Sequence, residues 1–302
     1  MTANLRHNKF CLLCAKTEEL RQVIKIFDEK FDRVRGHLYT DHVYRLSEDA
    51  TIRVATCSAM GHMSAAVRTG QLITLSQPAI MIFLGTAASL KPHEVQIGDV
   101  VIPRKAISRV YEKISEAGQR DFEERAAAGD FQEFILQSNA LISDLATVDC
   151  SEDALTVIAA LEIDGIALER GSGEAIALGG KSYALRQPKV HDDIDIFSCG
   201  MVVDSISYRE FITTNTHRNL RKAAIIDMES YGFFKAIDAT RGSGVGSSCS
   251  GLMIRGISDY AGRKAETEGR PEGWKKAVRN AAIVAAALLQ RIVEYEADHA
   301  AV

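Results

Sequence analysis

The chain has 302 residues, of which 46% are hydrophobic and 25% are charged, and its formal net charge is −4 at pH 7. These values allow a large core and an ordinary polar surface, and they exclude the concentrated basic face on which nucleic-acid binding depends. No stretch approaches the roughly 18 consecutive apolar residues of a membrane span, and the N-terminus lacks an apolar secretion signal. We therefore expect a cytoplasmic protein without nucleic-acid or membrane partners.

The first third of the chain alternates between strand and helix patterns. Two amphipathic stretches, 18–31 and 61–76, predict helices. A turn-like segment at 47–50 separates two runs of alternating hydrophobicity, which indicates a hairpin. The predicted strands of this region cover residues 9–15, 39–46, 51–57, 78–85 and 97–103.

The rest of the chain resumes this alternation after a middle segment, 108–193, that is hard to assign. Helical patterns occur there at 119–145 and 152–162. No repeat or linker interrupts the sequence, so we predict one domain, 1–302, with an α/β fold in which helices flank a mostly buried sheet. The later predicted elements are an apolar stretch at 194–203, a short polar helix, strands at 222–227 and 249–258, and helices at 228–239 and 273–297.

Neither the cysteines nor the glycine clusters indicate a metal or a cofactor. Cys11 and Cys14 form a C-x-x-C pair inside the apolar run FCLLCA, and no second pair completes a four-ligand zinc site. The glycine cluster at 171–180 lacks the Lys-Ser/Thr ending of a phosphate loop. The cluster at 241–248 precedes a strand, whereas a dinucleotide loop follows one and opens a helix. We therefore expect core cysteines, no metal and no cofactor.

Polar residues stand directly after four of the predicted strands. In open α/β sheets, ligands bind at the carboxyl ends of the strands, so these positions are candidate site residues. Each of them taken alone can be a helix cap, because Asp, Glu and Ser suit the first turn of a helix. Four such groups at one sheet edge favour a binding site. They are Glu18-Glu19, Thr86, Asp227-Met228-Glu229 and Ser258-Asp259.

Six sequence blocks together form a specific pattern. They are LLCAKTEEL (12–20), CSAMGHMSAA (57–66), FLGTAASLKPHEVQIGDVVIP (83–103), CGMVVDSISYRE (199–210), IIDMESYGFF (225–234) and IRGISDYAG (254–262). In this order they resemble the nucleoside phosphorylase and methylthioadenosine/S-adenosylhomocysteine nucleosidase superfamily. The blocks VVDS-x-x-YRE and ISDYAG are most similar to phosphorylase-like domains of some multidomain immune-type proteins. The resemblance implies a three-layer α/β sandwich with a central mixed sheet flanked by helices.

The resemblance also implies roles around a ribose–purine bond. Asp259 matches the acid that protonates N7 of the leaving base, and burial in an apolar pocket would keep such an acid protonated near neutral pH. Glu19 matches the base that activates the attacking water in nucleosidases. Glu229 matches the carboxylate on the ribose hydroxyls, and Met228 matches the side chain against the ribose. Val203 falls where the family lines the base site, although nucleosidases usually have an aromatic ring there.

Two departures from the family bear on whether water or phosphate is the nucleophile. Phosphorylases of this superfamily have an arginine two residues before Gly85, where this chain has Phe83, and phenylalanine cannot pair with phosphate. The family's glycine-rich run becomes GTAAS at 85–89, which alters the loop. Gly85 and Thr86 are predicted to contact the substrate, and the Thr86 hydroxyl can bind either a sugar hydroxyl or an anion. Phe83, together with the negative charge that Glu19 would place beside an incoming anion, favours hydrolysis. The altered run and Val203 instead keep a non-catalytic binding module open.

The sequence therefore predicts a nucleosidase that hydrolyses a purine nucleoside or a derivative, such as methylthioadenosine, S-adenosylhomocysteine or a nucleotide. Two alternatives stay open. One is a phosphate-dependent purine nucleoside phosphorylase, and the other is a non-catalytic module that senses a nucleoside or nucleotide. The resemblance also implies a homodimer or a higher homo-oligomer.

Three further residues receive minor interpretations. Arg209 follows the base-site segment and can meet a 5′-phosphate, but a solvated helix position is the favoured interpretation. Arg255 lies within a predicted strand, where we expect it to pack or pair near the sheet edge and assign it no role. His62 stands at a helix start, where it can approach the sugar, but a surface or capping position is favoured.

Overall fold

The computed structural model describes residues 9–34, 41–57, 59–109, 145–149, 165–170, 175–200, 202–214, 222–242, 249–262 and 273–300. The helices are α1 (Thr17–Lys30), α2 (His62–Ser76), α3 (Ile206–Thr214), α4 (Ser230–Gly242) and α5 (Gly273–Ala300). The strands are β1 (Phe10–Cys14), β2 (Asp32–Val34), β3 (His42–Arg45), β4 (Thr51–Thr56), β5 (Ile80–Ser89), β6 (Val100–Val101), β7 (Lys105–Arg109), β8 (Leu145–Asp149), β9 (Ala175–Leu178), β10 (Lys181–Ala184), β11 (Val190–His191), β12 (Asp195–Ser198), β13 (Ala223–Asp227) and β14 (Ser250–Asp259).

Strand β5 is the central strand of a mixed sheet, which has twelve strands in the described part of the chain. It pairs in parallel with β1 on one side and with β14 on the other. The end of β5 also pairs antiparallel with β13, in a register that sets Ile226 opposite Ala88 and so brings the end of β13 level with the end of β5. The main path runs β2-β3-β4-β1-β5-β13-β12-β7-β8, while β14 continues to β6 and β11. The ends of four strands therefore meet at one place.

Helices cover both faces of this sheet. Side chains of β1 alternate between the two faces, because successive residues of a strand point to opposite sides. Cys11 and Leu13 lie in a core with α2 and α4. Leu12 and Cys14 lie in a second core with α1 and α5. The predicted α/β sandwich with a central mixed sheet is confirmed by this layering.

Two glycines allow helices to approach their neighbours closely. A Cβ built on Gly256 of β14 would stand 1.9 Å from the carbonyl oxygen of Ala277 in α5. A Cβ on Gly232 of α4 would stand 2.0 Å from the carbonyl oxygen of His62 in α2. No side chain fits at such distances, so these glycines set the spacing of α5 on the sheet and of α4 on α2.

Most of the predicted elements are present, with corrected bounds. The β3–β4 hairpin is antiparallel and closes with Leu46 N donating to Ala50 O, as the alternating runs predicted. The strand predicted at 78–85 continues to Ser89 in β5. The helix predicted from residue 228 begins at Ser230, because the Asp227 carboxylate accepts hydrogen bonds from the Ser230 N–H.

The middle segment requires a further correction. The helices predicted at 119–145 and 152–162 lie outside the described residues, except for Leu145, which opens strand β8 rather than ending a helix. The glycine cluster at 171–180 includes β9 and the turn at Gly179 and Gly180, which both have positive φ. No helix in the described part of the chain is long and apolar enough to cross a membrane.

Because α5 approaches β14 so closely at Gly256, a side chain at this position should destabilise the protein. Gly256→Ala forces the helix backbone away from the strand, and we expect it to lower the free energy of unfolding by about 1–3 kcal/mol or more. Gly70→Ala is the matched control, because its Cβ would meet no atom within 4 Å in the middle of α2. It should raise stability by about 0.5–1 kcal/mol. Urea denaturation of both variants tests this, and an unchanged midpoint for Gly256→Ala would contradict it.

Candidate active site

A cavity of about 400 Å³ opens where the ends of β1, β5, β13 and β14 meet. This volume lies within the range of small-molecule sites in proteins. Six of the seven predicted site residues line it, and the seventh, Gly85, lies beneath the lining. The six are Glu19, Thr86, Val203, Met228, Glu229 and Asp259.

Glu19 is held at the floor of the cavity by backbone and side-chain donors. It lies in the first turn of α1 and is 5% exposed. Its Oε2 accepts a hydrogen bond from Lys16 N at 3.1 Å, which closes the first turn of the helix. Its Oε1 accepts from the N–H of Thr86 at 3.1 Å and from the Thr86 hydroxyl at 3.3 Å. These contacts fix the carboxylate across the gap between β1 and β5.

Gly85 is required by what packs against it. A Cβ at this position would stand 2.4 Å from Nη1 of Arg255 and 3.0 Å from Oε1 of Glu19. The absence of a side chain therefore lets a guanidinium and a carboxylate approach the β5 backbone from the same side. Gly85 serves the site through close packing rather than by lining the cavity.

Arg255 is the centre of a buried ionic network that sequence reasoning missed. Its side chain is 0% exposed, and its Nη2 donates to Asp227 Oδ2 and, at 3.2 Å, to Glu229 Oε2. The guanidinium also lies 4.8 Å from the ring centroid of Phe83. We expected Arg255 to pack or pair near the sheet edge; it does pair, but inside the sheet, where β14 lies between β5 and β6. The available signal was a charged residue inside the apolar strand LMIRGIS, because buried charges are found paired.

Asp227 joins this network to α2 through a serine. Its Oδ1 accepts from the Ser198 hydroxyl at 3.0 Å and from the Ser230 hydroxyl at 2.7 Å. His62 Nε2 lies 2.8 Å from the same Ser198 oxygen. Burial lowers the pKa of His62, although the nearby Asp227 charge acts in the opposite direction. His62 begins α2, as expected, but its side chain is half-buried and hydrogen-bonded to Ser198.

Glu229 has an unusual environment for a carboxyl group. It is 5% exposed, and its Oε1 accepts a hydrogen bond from the Gly61 N–H at 3.1 Å. Burial raises its pKa to about 7, with Arg255 opposing the shift and the Asp227 charge adding to it. Arg255 thus has two acidic partners, Asp227 and Glu229. The pKa of Glu229 lies close to neutral pH.

Asp259 ends β14 at the opposite flank of β5 from Glu19. It is 2% exposed. Its Oδ2 accepts from the Ser258 hydroxyl at 2.9 Å, and its Oδ1 accepts from the Ala261 N–H at 3.0 Å. Ala261 has φ of 52°, a left-handed conformation that costs a non-glycine residue energy. The backbone is therefore bent immediately after the acid, with an N–H turned back towards it.

Arg209 departs from the favoured interpretation. It is 5% exposed rather than solvated, and its Nη1 donates to the carbonyl oxygen of Tyr260 at 3.0 Å. It is not among the described residues that line the cavity. The alternative idea that Arg209 meets a 5′-phosphate therefore receives no support from its position, and its contact instead supports the bend that follows Asp259.

The remaining lining is largely apolar, with one basic residue. Val203 lies in the wall, and exposed Val202 and Met60 lie nearby at the mouth. Trp274, the single tryptophan of the chain, also lines the cavity from the start of α5. Sequence reasoning missed Trp274, because it was treated as part of a packing helix. Lys16, directly after β1, was missed as well.

The cysteines behave as core residues. Cys11 and Cys14 are free and buried, on opposite faces of β1. Burial raises the pKa of Cys11 to about 12 and that of Cys14 well above its ordinary value, so both thiols are protonated. Among the described residues, no group of histidine, cysteine and acidic side chains is arranged to hold a metal ion.

Comparisons with known proteins agree with this architecture. A family model described as the phosphorylase superfamily matches residues 9–294. The ATP nucleosidase Cap17 of Escherichia coli (strain KTE188) is 25% identical over 256 residues, which cover 82% of this chain and 45% of that protein. The chain thus spans about half the length of the curated relatives it matches.

Solved structures share the fold at low sequence identity. Futalosine hydrolase of Helicobacter pylori strain 26695 superposes with a TM-score of 0.60 and 15% identity, covering 95% of this chain and 99% of that one. A 5′-methylthioadenosine/S-adenosylhomocysteine nucleosidase from Colwellia psychrerythraea 34H, in complex with adenine, gives a TM-score of 0.61 and 16% identity, covering 94% and 96%. At such identities the similarity shows the fold alone.

The raised pKa of Glu229 predicts a pH-dependent stability difference. A carboxyl with a pKa of about 7 in the folded state and 4.5 otherwise keeps its proton longer when folded. Its contribution to stability is therefore present at low pH and is lost as pH rises from about 4.5 to 7. Glu229→Gln cannot titrate, so its stability relative to wild type should rise by roughly 1–3 kcal/mol between pH 4.5 and pH 8.

Urea denaturation at several pH values measures this difference. Glu48→Gln, a change of the same chemistry at an exposed position, controls for the loss of one surface charge. Its stability should follow that of the wild type across the pH range. Parallel pH curves for wild type and Glu229→Gln would contradict the predicted protonation of Glu229.

Proposed function

The chain belongs to the phosphorylase superfamily, and on that basis we propose that it hydrolyses the N-glycosidic bond of a purine nucleoside or nucleotide. The observation that carries the proposal is the convergence of three buried carboxyl groups, Glu19, Glu229 and Asp259, on one cavity. They come from α1, from the β13–α4 connection and from the end of β14. No packing requirement explains three acids at this place, since burying them is costly.

The chemistry needs acids in these positions. Cleavage of the bond between C1′ and N9 leaves positive charge on the sugar and negative charge on the purine. In the proposed mechanism Asp259 gives a proton to N7, so that the base leaves as a neutral molecule. Glu229 accepts hydrogen bonds from the ribose hydroxyls, and its ionised form stabilises the cationic sugar. Met228 lies against the ribose.

Water completes the reaction at C1′. Glu19 takes a proton from the water as the oxygen bonds to C1′, and the products are the free base and the free sugar. The Thr86 N–H and hydroxyl bind the same carboxylate, so Glu19 is held in place before substrate arrives. The proton balance closes when Glu19 returns its proton to solvent and Asp259 is reprotonated.

Two features favour water over phosphate as the nucleophile. Phe83 is fully buried against the Arg255 guanidinium, so it offers no group to a phosphate ion. The Glu19 carboxylate adds negative charge where an inorganic phosphate would stand. The relatives reported above, an ATP nucleosidase, a futalosine hydrolase and a methylthioadenosine/S-adenosylhomocysteine nucleosidase, support the same choice.

The proposal extends to assembly and location. Met60 and Val202 line the cavity and are exposed, and Met63 and Val67, one turn apart in α2, are exposed as well. Such a patch favours a second copy of the chain against this face, and hence a homodimer or higher oligomer. The described cysteines are free, which is consistent with a reducing cytoplasmic environment.

The activity test is direct. Incubation with a panel of purine nucleosides and nucleotides should release free base in the absence of phosphate, at a rate that added phosphate does not raise. Chromatography of the products measures this. Base release that requires phosphate would instead identify a phosphorylase, and tight binding without any base release would identify a sensing module.

A variant of the acid tests its role. Asp259→Asn cannot protonate N7, so kcat should fall by about 10²- to 10⁴-fold while the protein stays folded. Asp238→Asn, the same change at an exposed position of α4, is the matched control and should keep wild-type rates. Retained activity in Asp259→Asn would overturn the assignment of the acid.

A further inference from the structure

Among the described residues that line the cavity, Lys16 is the one with a cationic side chain. It is exposed and stands between the end of β1 and the start of α1. Its backbone N–H is used by Glu19, but no described residue forms an ion pair with its ammonium group. Arg255 is fully buried, pairs through Nη2 with Asp227 and Glu229, and is not among the described residues that line the cavity. Lys16 therefore has a charge available to a ligand.

We propose that Lys16 binds an anionic substituent at the 5′ position of the substrate, which makes the substrate class a 5′-phosphorylated purine nucleotide rather than a neutral nucleoside. The inference rests on the proposed function, because it takes the base and ribose positions from that mechanism. In this proposal Lys16 is the residue that determines specificity for the phosphate group.

The strand order gives the geometry. β5 lies between β1 and β14, and neighbouring strands are about 4.8 Å apart. Lys16 and Asp259 therefore stand on opposite flanks of β5, roughly 10 Å apart across the sheet. In the proposed mechanism the base lies at Asp259 and the ribose at Glu229, so a charged group beyond the ribose has Lys16 as the cationic residue of the described lining within its reach.

The charge of the lining makes this lysine important. Five carboxyl groups line the cavity. Two of them pair with Arg255, and Asp259 carries a proton in the proposed mechanism, so Glu18 and Glu19 are left to repel a phosphate. A single ammonium group at the 5′ end offsets that repulsion where the phosphate stands, and nowhere else. The five are Glu18, Glu19, Asp227, Glu229 and Asp259.

Arg209 does not supply this charge. Its guanidinium donates to the Tyr260 carbonyl and is outside the described lining. A competing explanation is that Lys16 merely balances its acidic neighbours Glu18 and Glu19. That role would affect every substrate to the same degree, whereas a phosphate-binding role changes the ratio between substrates. The ratio of kcat/KM for a nucleotide to kcat/KM for a nucleoside therefore distinguishes the two explanations.

The experiment compares adenosine with AMP, ADP and ATP as substrates for the full chain. The quantity measured is kcat/KM for release of adenine, and the result is the ratio of nucleotide to nucleoside. Wild type should prefer a nucleotide. Lys16→Met should lower the ratio by about 10- to 100-fold, and Lys16→Arg should restore most of it, because arginine keeps the charge. Lys25→Met, an exposed change on α1, is the control and should leave the ratio unchanged.

The outcomes separate this inference from the proposed function. Equal losses for all substrates in Lys16→Met, or a wild-type preference for adenosine, would overturn the role of Lys16 while leaving hydrolysis intact. If no purine nucleoside or nucleotide of the panel releases its base, the proposed function fails, and calorimetric binding of ATP and adenosine then tests Lys16 by the same ratio. A binding ratio that Lys16→Met does not lower overturns the inference in that case too.

Discussion

One buried guanidinium organises the site. Arg255 is wholly removed from solvent, and an uncompensated charge in such a place would be very costly. Its partners are Asp227, the last residue of β13, and Glu229, on the connection from β13 to α4, so the ion pairs tie this part of the chain to β14 across the sheet. Gly85 makes room for the guanidinium, and Phe83 covers its face. Changing any of these residues would alter the position of the others.

The same network explains how acids of different chemical character share one cavity. Two acidic groups compete for Arg255, and Glu229, desolvated by burial, is the one whose pKa rises to about 7. Asp227 has further hydrogen-bond donors in the hydroxyls of Ser198 and Ser230. Asp259 stands apart, beyond β5, with a separate set of donors. An enzyme that must both donate and accept protons needs such differences between neighbouring carboxyl groups.

The resemblance to the family is more than a set of single motifs, because the fold uses one arrangement several times. Each functional group follows a strand, and the strands converge because β5 borders β1, β14 and β13 at once. The altered run at 85–89 keeps the glycine that the guanidinium requires while losing the later glycines. These residues lie within β5, and Thr86, Ala87 and Ala88 line the cavity, so the departure changes the cavity-facing surface of the strand.

The sequence by itself determined the alternation of strands and helices and the polar residues at strand ends, because these are local patterns. The chemical roles of those polar residues came from the family resemblance and stay a proposal. It could not determine that Arg255 is central, that Arg209 is buried against Tyr260, or that Lys16 and Trp274 face the cavity. Those facts depend on which strands become neighbours and how closely helices approach them. Such distances are set by pairing between segments far apart in the chain, which no local pattern encodes.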